Sequence, residues 1–117
     1  MSKVVTCPVK RFEGTVTLRD PMTLQMVAKW EEVLQIIRAI PNEDARKYDT
    51  IEASFYPLVV EMVEAWNLAN ILPNVTAENF PNASPGTGAA SIHALIGWLI
   101  TECQKVYNGN EDDDPNE

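Results

Sequence analysis

Few side chains in this 117-residue chain could do chemistry, and their spacing keeps them apart. His93 is the single histidine, so no histidine-pair metal motif exists and only one imidazole could act as a base. A general base needs a nucleophile within hydrogen-bond reach. Ser91 lies two residues away on a predicted helix and faces elsewhere. His93 therefore reads as a structural or partly exposed histidine. Glu61 and Glu64, at i and i+3 of a predicted helix, could share a proton or hold a metal. The apolar residues at 62, 63 and 66 mark them instead as its wet flank. Cys7 and Cys103 are too few for a disulfide scaffold or a four-cysteine zinc site. Each falls on the apolar side of its element, where a free thiol packs as a small hydrophobe; a bridge between the two stays open. Gly86-Thr87-Gly88 lacks the Gly-Lys-Ser/Thr of a phosphate loop and follows no strand. Asn74-Val75-Thr76 and Asn82-Ala83-Ser84 fit the glycosylation pattern, but the N-terminus carries no secretory hydrophobic region that would give them meaning. No catalytic, cofactor-binding or metal-binding residue is expected, and the chain reads as non-enzymatic.

The elements that position these residues follow from periodicity. Residues 3–18 alternate as strands, with Val5, Cys7 and Val9 on one face and Phe12, Gly14, Val16 and Leu18 sharing a face of the second run. Lys10 to Gly14 closes a hairpin, Gly14 taking the positive φ of a bulged turn. Pro8 cannot donate a ladder hydrogen bond, so the first strand should lie at an edge or break there. Asp20-Pro21 predicts a helix start, with Asp20 as N-cap and a stripe of Leu24, Val27, Trp30, Leu34, Ile37 and Ile40 over about 21–40. Pro41 ends it. A second stripe, Ile51, Phe55, Leu58, Val59, Met62, Val63 and Trp66, predicts a helix over about 50–69. Its phase runs unbroken through Pro57, which favours one kinked helix over a fresh start there. Residues 71–90 are irregular, pinned by Ile71, Leu72, Val75 and Phe80. A third helix, about 89–107, carries Ile92, Leu95, Ile96, Leu99, Cys103 and Val106, and Asn108-Gly109 stops it. The fold class is α+β, an N-terminal β-hairpin followed by three amphipathic helices in a small bundle. Residues 1–110 form one domain and 111–117 an acidic, disordered tail.

Hydrophobic residues make up 45% of the chain and charged residues 22%, enough apolar material for a core. Nine basic and seventeen acidic residues give a net charge of −8. Five acidic groups lie in the last seven residues, so residues 1–110 carry 12 acidic against 9 basic groups, or −3. The first nineteen residues are locally basic. Net negative charge opposes nucleic-acid binding, which rests on Lys and Arg displacing counterions. No run approaches the ~18 apolar residues of a membrane span. Trp30 and Trp66 belong to their stripes and are expected to meet in the core. Trp98 is off the main stripe of the third helix, and Leu95, Trp98 and Ile100 form a second apolar edge that faces either the hairpin or a partner.

Three passages together carry a resemblance. They are Val9-Lys10-Arg11-Phe12-Glu13-Gly14 with Thr15-Val16-Thr17-Leu18; Asp20-Pro21-Met22-Thr23-Leu24 leading into a Trp-bearing helix; and Glu78-Asn79-Phe80-Pro81, Ser84-Pro85, Gly97-Trp98-Leu99, Tyr107-Asn108-Gly109 and an acidic tail. The combination resembles small proteins encoded among the virion and tail genes of long-tailed bacteriophages, of the tail assembly chaperone type. The resemblance implies a largely helical factor without catalytic residues that holds the tape-measure protein soluble and recruits tail-tube subunits. Its partners would be phage tail or capsid proteins, met in the host cytoplasm or the virion, and self-association is compatible with it. Lys10, Arg11, Phe12, Trp98 and Ile100 are the candidate partner-binding residues. The rival readings are a structural virion subunit and an acidic inhibitor that mimics nucleic acid.

Overall fold

The structure, a computed structural model, describes residues 2–71, 74–83 and 88–109. The chain opens with β1 (Ser2–Cys7), a 3-10 turn at Lys10–Phe12, and β2 (Gly14–Arg19). Helices α1 (Leu24–Arg38) and α2 (Lys47–Met62) follow, then a third strand, β3 (Val63–Leu68). A second 3-10 turn, Phe80–Asn82, precedes α3 (Ala89–Tyr107). The strands form one antiparallel sheet in the order β1-β2-β3. In β1 and β2 the alternation works as the sequence predicts: Cys7, Val16 and Leu18 are buried while Val4, Thr6 and Thr15 face outward. The fold is α+β, and strand, helix and turn residues bury into one contiguous cluster.

Strand β3 is the main departure from the sequence reading, which carried the second helix through to residue 69. The helix ends at Met62 and Val63 turns directly to extended backbone. Val16 pairs with Trp66 and Thr17 with Ala65, but Leu18 pairs with Val63, so a bulge leaves Glu64 unmatched. That extra residue puts Val63 and Trp66, three apart, against the same core. A bulged strand therefore imitates helical spacing. Tertiary pairing decides the contest, because β2 would otherwise leave a second row of backbone groups unpaired.

The close approach of β3 also explains Gly14. Its φ is +153°, and a Cβ there would lie 2.0 Å from the Asn67 carbonyl oxygen. The positive φ is as expected, but its cause is contact with the third strand rather than the hairpin turn.

The first helix starts later than Asp20-Pro21 suggests. The Asp20-Pro21 peptide is cis, and Thr23 is the N-cap, its Oγ1 accepting from the Met26 N–H at 3.1 Å. The buried face rotates accordingly: Met26 and Trp30 are buried, whereas Leu24, expected in the stripe, is 85% exposed. Pro57 lies inside a continuous α2. Trp30 and Trp66 do not form the expected pair. Trp30 sits against Phe55 (centroids 4.6 Å) and Tyr107 (6.3 Å), and Trp66 meets Phe80 edge-on at 5.6 Å. One polar tie or more joins each pair of helices: Lys29–Glu61 between α1 and α2, Glu52–His93 between α2 and α3, and Trp30–Gln104 between α1 and α3.

Candidate functional site

The histidine finds its partner on another helix. His93 Nδ1 lies 2.7 Å and 2.9 Å from the two carboxylate oxygens of Glu52, whose side chain is 12% exposed against 44% for His93. A carboxylate oxygen accepts here, so Nδ1 is the nitrogen that carries the hydrogen toward Glu52. The Tyr48 ring lies 6.0 Å from the imidazole. The Tyr48 hydroxyl passes over Gly97, 3.5 Å from where a Cβ would sit. This is an oriented histidine. A triad would need a hydroxyl or thiol nucleophile hydrogen-bonded to it, and the polar contact described for His93 is to Glu52.

Glu52 also borders an open groove of about 380 Å³. Helix α2 supplies Asp49, Glu52, Ala53 and Tyr56 to one wall, and Ile92 and Ile96 of α3 stand in the other. Phe80 and Pro81 contribute from the second 3-10 turn. That turn is held by side chains from the body of the protein. The Tyr56 hydroxyl donates to the Ala77 carbonyl at 2.7 Å, and the Trp66 indole N–H donates to the Val75 carbonyl at 3.0 Å. Phe80 packs edge-on against both Phe12 and Trp66. The groove therefore has walls tied to the core, an apolar lining and two carboxylates, both from α2. Asp49 falls in the first turn of α2, where a negative charge suits the helix dipole.

A polar niche lies on the other side of residues 74–78, lined by Glu64, Trp66, Thr76 and Glu78. Glu64 accepts from the Ser2 hydroxyl at 2.6 Å across the outer face of the sheet. Glu61 instead pairs with Lys29 at 3.1 Å. The two carboxylates that the sequence placed on one helix thus belong to different elements and do different things.

The candidate contact residues separate in the same way. Lys10 and Arg11 are exposed at the hairpin tip, and the Arg11 carbonyl accepts from the Asn70 side chain at 2.7 Å. Phe12 is fully buried and belongs to the core, so it offers no surface to a partner. Trp98 and Ile100 are partly buried against the same core. Sequence reasoning missed the groove, because Asp49, Glu52, Ile92 and Ile96 lie on separate helices with about forty residues between them. The only local sign was Ile92 and Ile96 on the third stripe.

Both cysteines are free and buried. Burial pushes the Cys103 thiol up to about 12, with the neighbouring Glu102 charge adding to it, and raises Cys7 by the same desolvation. Neither is an activated nucleophile. Among the described residues no group of three or more His, Cys, Asp or Glu side chains could hold a metal, and no helix is long and apolar enough to cross a membrane. Leu72, residues 84–87 with most of the Gly86-Thr87-Gly88 motif, and the acidic tail lie outside the described residues. Comparison with protein-family models, curated proteins and solved structures found no match.

Proposed function

We propose that this protein works by binding another protein, as a phage morphogenesis factor of the tail assembly chaperone kind, and makes or breaks no bond itself. The observation that carries the reading is the open apolar groove of about 380 Å³ between α2 and α3, with room for side chains. Continuous apolar surface in a small domain marks a place where another molecule sits. The half-exposed Tyr48 ring, against His93, adds an exposed aromatic of the kind that concentrates binding energy. The resemblance supplies the class of partner, tape-measure or tail-tube protein met in the host cytoplasm, and reversible masking of apolar segments is the mechanism. Acidic charge keeps such a factor soluble while its apolar surface is open.

The test is co-expression with the tail-tube and tape-measure proteins of the phage that encodes it, followed by pull-down. Recovery of one of them at a fixed ratio is expected. Capture of neither overturns the phage reading. A copy number in purified particles equal to that of a tail protein would replace the chaperone with a structural subunit.

A further inference from the structure

We propose that the groove between α2 and α3 takes a basic amphipathic helix of the partner protein, its apolar side chains against Ile92 and Ile96 and a lysine or arginine against Asp49. The proposal rests on the protein-binding reading and names what that surface recognises. Two helices side by side with apolar walls form the seat into which a third helix packs, the helix-in-groove mode. The rim selects the charge of the occupant. Asp49 and Glu52 both stand on it, and of the two only Glu52 has a described ion-pair partner, His93. Asp49, with no described ion-pair partner, and the Glu52 charge one turn away favour an ammonium or guanidinium group in this apolar groove and repel an acidic helix. The groove is partly open to solvent, as the seat of a helix must be.

Nitrogen-15 chemical-shift mapping of the 13.1 kDa protein tests this. The probe is a synthetic 15-residue peptide with leucines at i, i+3, i+4 and i+7 and lysines between them. Saturable shifts at the amides of Asp49, Ala53, Ile92 and Ile96 are expected. Replacing the peptide's lysines with glutamates, or Ala53 with arginine in the protein, should weaken binding at least about tenfold. Ala53 is exposed, so Ala53→Arg leaves the fold intact. Asp49→Asn should weaken the lysine peptide about threefold or more and leave a serine-spaced leucine peptide unchanged. Equal affinity for the lysine and glutamate peptides overturns the proposal. So does binding of hexylamine alone at the peptide's affinity, which would mean a small-molecule site. Contacts between residues 84–87 and Ile96 in the free protein, or groove shifts that grow with protein concentration alone, would assign the groove to the chain itself or to a second copy. Ala53→Arg protein that still captures the tail proteins would sink the groove while leaving the protein-binding reading standing.

Discussion

At the scale of single residues, Gly14 and Cys103 are the positions where structure adds most to composition. Any side chain at residue 14 would collide with the β3 backbone, so Gly14→Ala is expected to cost about 3 kcal/mol or more, read as a fall in the urea midpoint. An ordinary turn glycine would lose less than half of that. Cys103 makes stability pH-dependent on the alkaline side. The unfolded thiol ionises near 9.0 and the folded one only at about 12. Between those values the unfolded chain holds fewer protons, so stability falls as pH rises, by up to about 1.4 kcal/mol per pH unit from this group. Below 9.0 its contribution is fully present. Urea titrations at pH 7, 9 and 10.5 should show the decline beginning only above 9, and Cys103→Ala should remove part of it. The same burial makes the native thiol inert to a disulfide reagent at pH 8 until denaturant is added.

At the scale of elements, the ties between helices differ in worth. His93–Glu52 is short but nearly half of the imidazole is in water, so a double-mutant cycle on the pair should give a coupling below about 1 kcal/mol. Trp30 is another matter. It is fully buried between α2 and α3, packs tilted against Phe55 and stacked on Tyr107, and its indole N–H donates to Gln104 at 2.7 Å. Trp30→Ala should cost about 3–5 kcal/mol in the same urea measurement. The sheet carries its own test. Because β2 pairs on both sides, hydrogen exchange should find its amides among the slowest in the protein, with those on the free edge of β1 faster. A two-stranded hairpin with a longer second helix would leave alternate β2 amides unprotected.

At the scale of the whole molecule, what matters is which surfaces are left over once the core is filled. The helices cover one face of the sheet, residues 74–83 pack over α2 and β3, and the groove remains between α2 and α3, closed at one end by that segment. Much of this was legible in the chain. Alternation in Val4 to Val9 and Gly14 to Leu18 determined the hairpin, and the three- and four-residue stripes of α1 and α3 determined those helices to within a few residues, because local periodicity and capping are properties of short segments. Trp66 was not legible: a bulge at Glu64 gives strand β3 helical spacing, and only the need of β2 for a second partner distinguishes the two. Alternation placed Phe12 on the face of Val16 and Leu18, where it is buried, but its place among the candidate contact residues fails because the Phe80 ring packs edge-on against it. Glu52 and His93, forty-one residues apart, carried no sign of each other. The sequence by itself determined which segments become helix and hairpin. The tertiary structure alone decided the third strand, the ring pairs and the groove, since each depends on side chains brought together by packing between segments distant in the chain.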